Sequence, residues 1–333
     1  LGPDAARRIW EVATEATALV KDLVARRGIA CDLTEGYLEA GWRARDEADA
    51  RAYVEHVRER YGCASVRAVP AEEMRARIAS PVYVGGYEDR AAGHLHPLNY
   101  ALGLARAAAA AGARLHERSE AVALEPDGAR TARGRVRAEW TLLACNGYLD
   151  DLDRAAAGRI MPINNFIAAT EPLGESARAL IPGNECVSDT RFVLDYFRLS
   201  PDGRMVFGGG ETYGRRFPAD IRAFVRRPML RVFPQLAGAR IEHGWGGTLA
   251  ITRSRAPIFL RTAPRRLVIG GWSGSGVHMA TMGGKIAAEA IRGTLDRWDV
   301  MAADPAPRFP GGDRLRAPLL ALAMSWYALR DRL

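Results

Sequence analysis

Cysteine is scarce and scattered. The four, Cys31, Cys63, Cys145 and Cys186, form no CxxC pair and no Cys/His group at zinc-ligand spacing. That excludes a disulfide framework and a zinc ribbon, and points to free thiols in a reducing compartment, the cytoplasm. Lysine is scarcer still: of 47 basic residues, only Lys21 and Lys285 are lysines. The arginines lie among Asp and Glu on helical stretches, not in basic runs interleaved with aromatics. The net charge of +8 therefore carries no nucleic-acid footprint. No apolar run approaches the roughly 20 residues a membrane-spanning helix needs, and nothing resembles a signal peptide. The longest apolar run, APLLALAMSWYAL (317–329), is flanked by Arg316 and Arg330 and reads as a packed amphipathic C-terminal helix. His94 and His96 in GHLHP have no third ligand nearby, so no metal site is expected. GWSGS lacks the last glycine of GxSxG, and Ser273 has no evident base, which argues against a serine hydrolase.

What is present is 333 residues with 48% hydrophobic content, enough for about two domains. The chain opens LGPDAARRIW, at a helix start without an initiator Met, and reads as a fragment. Apolar residues at intervals of three and four predict a helix over 4–27, closed by the glycine of RRG. A strand is expected at 36–42, helices from Asp46 to Tyr61 and over VPAEEMRARI, and a helix from Pro97 to about Ala111. Two strands near 113–125 and a strand TLLACNGY (141–148), buried on both faces, should follow. From 160 to 260 the texture changes to hairpin strands, INNFIAATEP, RFVLDYFRLS, RMVFGGGE and IEHGWGGTLAI, with a turn at Pro201-Asp202-Gly203 and one helix near 219–232. The FGGGE segment reads as a bulged strand because no helix follows it directly.

LVIGGWSGSGVHMATMGGKIAAEAI (267–291) is a strand, a glycine turn and a helix. The glycines allow close backbone approach, and a helix starting near Val277 aims free N–H groups and its positive end at whatever fills the turn. GxGxxG fails here because Met279 occupies the last position, and no acidic residue stands at the ribose distance. TLLACNGY ends in a second small-residue turn 122 residues upstream. A Rossmann-like domain interrupted by a substrate domain would give this order.

With GHLHPLNYALGLARAAAAAGARLHERSEAVALE, ACNGYLDDL, MPINNFIAATEPLG, YFRLSPDGRMVFGGGETY, WGGTLAITRSRAPIF and GGWSGSGVHMATMGG in sequence, the chain resembles the D-amino-acid-oxidase-like (DAO) family of FAD-dependent oxidoreductases. Within it, the gamma-glutamylputrescine oxidoreductase branch is the most similar. The resemblance implies an α/β fold: a split Rossmann-like FAD-binding domain (1–158 and 261–333, with some substrate-domain strands within 30–90) and an inserted antiparallel-sheet substrate domain (159–260). It also implies an N-terminal strand with GxGxxG and an acidic residue, which these residues do not contain, so the N-terminal FAD-binding segment is expected to be missing.

The resemblance carries FAD onto this chain as cofactor. Val122 falls where the family contacts adenine, and Ala144, Cys145, Asn146 and Gly147 where a small-residue turn approaches the adenine and phosphate end. Gly271, Ser273, Gly274, Gly276, Val277 and Met279 fall beside the flavin pyrimidine ring, where backbone donors support charge on the reduced flavin. On the substrate side, Leu249 stands where relatives place a carboxylate-clamping arginine, with Arg253 further on, which suits an amine or a longer conjugate. Val206 stands where some relatives carry an oxygen-activating lysine, leaving oxidase or dehydrogenase behaviour open. Ser275 replaces a histidine of the branch, with His278 three residues on. Tyr196 and Trp245 are candidate pocket walls. The expected activity is oxidation of the C–N bond of a small-molecule amine by hydride transfer to flavin N5. The alternatives are an NAD-dependent dehydrogenase or a truncated, non-catalytic remnant; sequence leaves the oligomeric state open.

Overall fold

The computed structural model describes residues 2–212, 216–304, 306–311 and 318. In chain order, α1 (Pro3–Arg27) is followed by β1 (Thr34–Ala40), α2 (Ala44–Tyr61), β2 (Val66–Pro70), α3 (Ala71–Arg77), β3 (Gly85–His94) and α4 (Pro97–Ala110). Four short strands come next: β4 (Ala121–Glu125), β5 (Gly128–Thr131), β6 (Arg135–Arg137) and β7 (Thr141–Leu143). Then come α5 (Arg154–Ala157), β8 (Met161–Thr170), α6 (Glu175–Leu180), β9 (Cys186–Asp189), β10 (Tyr196–Leu199) and β11 (Met205–Thr212). The order ends with α7 (Ile221–Val232), β12 (Ile241–Ile251), β13 (Ile258–Ala263), β14 (Arg266–Gly270), α8 (Gly276–Ile291) and α9 (Asp296–Ala302). The helix expected at 317–329 lies outside the described residues, apart from Pro318. The fold is α/β with mixed sheets, and the described residues divide into two units.

One unit holds the described residues of 1–31, 97–163 and 248–321. Pro3 and Asp4 start α1, and Gly28 ends it in the left-handed conformation with its N–H on the Ala25 and Val24 carbonyls. Val12 and Ala16, one helical turn apart, join Met282, Ile286 and Ala287 of α8 and Leu267 and Ile269 of β14 in a single apolar cluster. Each such side chain fully buried contributes about 1.5–3 kcal/mol for the larger aliphatics. At the rim, Glu15 is held by Lys285 Nζ at 2.8 Å and Arg297 at 2.7 Å. The sheet of this cluster runs β13-β14-β7, with β14 antiparallel to β13 and parallel to β7.

Two expectations for this unit are corrected. Only one strand forms near 113–125, because residues 113–120 lie outside any ladder, and β4 joins β5 and β6 in a separate antiparallel sheet. The strand expected at 141–148 ends at Leu143 and is not buried on both faces: Leu142 is 37% exposed, since β7 sits at the edge of its sheet.

The other unit holds 32–96 and 164–247, built on an eight-stranded sheet in the order β12-β8-β11-β10-β9-β1-β3-β2. Strand β3 is antiparallel to β1 and β2, β10 to β9 and β11, and β11 to β8, whereas β1 and β9 run parallel. Side chains alternate between its faces. Leu38, Ala40, Val187, Phe197, Leu199, Phe207, Phe166 and Ala168 form one core face, closed by Met74 of α3, Leu180 of α6 and Val225, Met229 and Val232 of α7. Phe197 stacks on Phe207 at 5.6 Å and meets Phe233 edge-on at 4.9 Å. Beside this core, the buried Glu88 takes hydrogen bonds from Arg67, Arg77 and Arg90. Burial alone would raise its pKa, but the three guanidinium groups hold it down to about 2.

The strand expected across RFVLDYFRLS covers only Tyr196–Leu199. Residues 191–195 are taken up by a charged loop, where Asp189 accepts the backbone N–H groups of Arg191 and Asp195 and the Arg191 guanidinium binds both aspartates. The turn at Pro201-Asp202-Gly203 joins β10 to β11, with Leu199 opposite Met205 and the Gly203 N–H on the Ser200 carbonyl at 2.9 Å.

Candidate functional site

In the unit that carries α8, the parallel strands β7 and β14 end side by side, and the turns that follow them meet. A side chain on Gly270 would come within 3.5 Å of Asn146 Cα, and one on Gly147 would strike the Thr248 carbonyl. The carboxyl ends of parallel strands in an α/β sheet are where nucleotide cofactors are received. Gly271 turns the chain at φ +67°, a conformation that favours glycine, and Ser273 adopts φ +50°. That turn is fixed from below. Ser273 N–H donates to the Ala250 carbonyl at 3.0 Å, its Oγ donates to the Gly271 carbonyl at 3.1 Å, and Thr252 N–H donates to that Oγ at 3.2 Å.

Helix α8 starts directly after this turn with no side chain capping its first amides. Those amides and the helix dipole form a donor set aimed at the turn. Beside the end of β14, where a side chain on Gly270 would lie 3.8 Å from it, Asn146 Oδ1 is buried with no hydrogen-bond partner among the described residues, at φ +50°. A buried acceptor left without a donor is costly unless a ligand supplies one. FAD carries both donors and acceptors, so the pair of turns fits it.

Ala144, Asn146, Gly147, Gly271, Ser273, Gly274, Ser275, Gly276, Val277 and His278 all lie on these two turns or the first turn of α8. Gly274, Ser275 and Val277 are exposed, whereas the Met279 side chain is buried in the apolar cluster. The His278 imidazole is largely buried, which pushes its pKa below the ordinary value and keeps the ring neutral. Val122 lies elsewhere, 49% exposed on β4 of the small antiparallel sheet. Arg253 is exposed on the loop after β12, where its Nη1 donates to the Arg308 carbonyl at 3.2 Å.

In the unit with the large sheet, the face opposite the aromatic core is polar. On it stand Tyr37 and Glu39 of β1, Cys186 and Ser188 of β9, Tyr196 and Arg198 of β10, and Asn165 of β8, each alternating with a core residue. The Tyr196 ring lies over Gly208 and its hydroxyl donates to Asn165 Oδ1; burial raises the phenol pKa. A side chain at Gly246 would meet Phe166 on the core side, so Trp245, 44% exposed, points to this polar face. The Tyr37 and Tyr87 hydroxyls donate to Glu39 at 3.4 and 3.2 Å, and Tyr37 pairs with Ser188 Oγ at 2.6 Å. Of these residues sequence reasoning found only Tyr196 and Trp245. Glu39, Asn165 and Arg198 carry no local motif, and their common face emerges only from strand order.

A profile of the family described as FAD dependent oxidoreductase matches residues 2–290. The chain is 40% identical over 336 residues to the probable oxidoreductase OrdL of Rhizobium meliloti (strain 1021), covering 100% of this chain and 78% of that protein. It is 37% identical over 337 residues to the gamma-glutamylputrescine oxidoreductase of Escherichia coli (strain K12), covering 100% and 79%. Among solved structures, L-proline dehydrogenase from P. horikoshii matches in fold with a TM-score of 0.74, 22% identity, and coverage of 89% of this chain and 82% of that one. With the two facing turns and likeness along its whole length, the chain belongs to the FAD-dependent oxidoreductase family, whose cofactor is FAD.

Proposed function

We propose that this chain oxidises the C–N bond of an amine, with gamma-glutamylputrescine as the substrate. The observation that carries the reading is the orphaned Asn146 Oδ1 beside Gly270, at the glycine turn from which the uncapped helix α8 starts. It stands in a chain 37% identical throughout to a gamma-glutamylputrescine oxidoreductase.

FAD, when bound, supplies a two-electron acceptor for a hydride leaving the carbon next to the amine nitrogen. The first amides of α8, from Gly276 and Val277, hold acceptor atoms that gain negative charge, and the preset turn spares reorganisation when that charge develops. Asn146 Oδ1 takes a donor from the cofactor. His278, neutral through burial, adds a hydrogen-bonding group without a fixed positive charge. Tyr196, braced by Asn165, and Trp245 wall the substrate face of the large sheet. Ser275 lies exposed at the start of α8 within reach of ligand in the turn, Val122 borders the adenine end, and Arg253 holds the Arg308 segment. The unit with the two turns serves as the cofactor domain and the unit with the eight-stranded sheet as the substrate domain. Loss of the hydride from carbon and a proton from nitrogen would leave an imine, which water hydrolyses to an aldehyde and ammonia.

Anaerobic mixing of the holoenzyme with gamma-glutamylputrescine tests this: the yellow flavin absorbance bleaches stoichiometrically. A holoenzyme that other amines bleach and gamma-glutamylputrescine does not would overturn the substrate assignment.

A further inference from the structure

Arg198 on β10 is a half-buried cation with no carboxylate at ion-pair distance among the described residues. Other arginines of the same unit are matched: Arg77 by Glu88 and Glu185, Arg191 by Asp189 and Asp195, Arg204 by Asp202 and Glu242. Arg198 Nη1 donates to the Leu199 carbonyl at 3.2 Å, and the exposed Asp32 acts on the guanidinium only through space. Burial lowers its pKa, as expected for a guanidinium that has lost water without gaining an anion. A desolvated, unpaired charge is expensive, and a bound counter-ion removes the expense.

The neighbours of Arg198 across the sheet are uncharged. With Tyr196 opposite Ser188 and Phe197 opposite Val187, the register of β10 on β9 brings Cys186 beside Arg198. The Cys186 thiol donates to the Gly36 carbonyl at 3.5 Å, and burial pushes its pKa up to about 12. On the other side Arg198 is paired with Val206 of β11. His94, at the end of β3, lies within the field of Arg198, and its Nε2 donates to the Asn184 carbonyl at 2.8 Å. Burial, and after it the Arg198 charge, holds the His94 pKa below the ordinary value, so the ring is neutral. A guanidinium set among a neutral thiol, a neutral imidazole and a valine lacks an anion of its own, and its planar fork matches a carboxylate.

Its place on the strand relates it to the substrate wall. Tyr196 and Arg198 alternate with the core residues Phe197 and Leu199, so both rise from the polar face, about 7 Å apart along β10. The anion receptor therefore stands one step along the strand from the ring that walls the pocket.

We propose that Arg198 receives a carboxylate at the end of the substrate remote from the oxidised amine, and so sets the preference for a conjugated amine over a simple one. The assignment rests on the substrate reading above, since the glutamyl half of gamma-glutamylputrescine carries an α-carboxylate that free putrescine lacks.

The test is anaerobic flavin reduction of the holoenzyme by two amines: gamma-glutamylputrescine and gamma-aminobutyrylputrescine, which is the same molecule with hydrogen in place of that carboxylate. The wild type half-saturates with the first at a concentration about 10- to 100-fold lower than with the second, the worth of one charge-assisted contact. In Arg198→Met the preference collapses to about 2-fold or less, and Arg198→Lys keeps part of it. Because methionine removes a desolvated charge, Arg198→Met melts at or above the wild-type temperature. A variant that fails to fold, or melts well below wild type, means that the protein itself holds the guanidinium, and overturns the proposal. Equal half-saturation of the wild type by the two amines, or a preference that survives in Arg198→Met, overturns it as well, while bleaching by gamma-glutamylputrescine keeps the substrate reading. If neither amine bleaches the flavin, the substrate reading falls and calorimetric titration of the holoenzyme with glutaric acid monobutylamide, a carboxylate without an amine, judges Arg198 by itself. Binding that Arg198→Met weakens about 10-fold upholds the carboxylate site, and no binding, or equal binding to both proteins, overturns it.

Discussion

The Tyr196 hydroxyl on β10 donates to Asn165 Oδ1 on β8, two strands away, by crossing β11 above Gly208. The bond ties three strands of the substrate face into one rigid patch, and it exists only because position 208 has no side chain.

Gly208→Ala therefore pushes the Tyr196 ring off its seat. The expected cost is about 1–3 kcal/mol in urea unfolding, together with a raised KM for the amine. Tyr196→Phe keeps the ring and removes only the hydroxyl, so its effect on KM should be smaller. An alanine at 208 that leaves both stability and KM untouched refutes the bracing role.

Asn146 offers a direct probe of the cofactor turns. Asn146→Gly keeps the positive φ and deletes the orphaned acceptor, so FAD affinity should fall about 10-fold in a flavin-fluorescence titration while the melting temperature of the apoprotein holds. Unchanged FAD affinity would mean that Oδ1 faces no ligand donor.

His278 gives the protein a dependence on mild acid. Burial lowers its folded pKa, so the unfolded chain binds the proton more readily, and stability present above about pH 6.5 is lost as pH falls below it. His94, also lowered by burial, acts in the same sense. His278→Asn cannot titrate and should show a shallower fall in melting temperature between pH 7 and 5; slopes identical to wild type would exclude the contribution.

Glu88 governs strong acid instead. Its folded pKa of about 2 lies below the ordinary value near 4.3, so its stabilising contribution is complete above that value and disappears as pH falls toward 2. Glu88→Gln leaves three arginines without their shared anion and should cost about 3–5 kcal/mol at pH 7 by chemical unfolding. The difference between variant and wild type should shrink steadily as pH falls from 4.5 to 2.

How much of this was legible in the sequence follows the range of the interactions. The strand, turn and helix from Arg266 to Ile291 are set by neighbours in sequence, and they form as the glycines and the small-residue helix face require. The same holds for α1, from the proline at its start to the left-handed glycine at its end. The strand β9 was not foreseen, because CVSD is four residues with no turn signal of its own and is a strand only through its partners β1 and β10. The shortening of β10 was hidden for a related reason: Asp189, Arg191 and Asp195 read as ordinary surface charges until the loop brings them together. Glu39 and Arg198 lie 159 positions apart in the numbering and share a face only once the strand order is known.

The parallel pairing of β1 with β9 also sets a schedule for synthesis. Residues 34–94 can close the antiparallel three-stranded piece β1-β3-β2 as soon as they emerge, but the free edge of β1 must wait for residues 186–189, nearly a hundred positions after that piece is complete. Until then an unpaired strand edge is exposed beside an uncovered apolar face, the condition in which nascent chains self-associate. Slow, long-range closure of this sheet makes the yield of folded protein more sensitive to translation rate and to chaperone supply than the stability of the finished molecule would suggest.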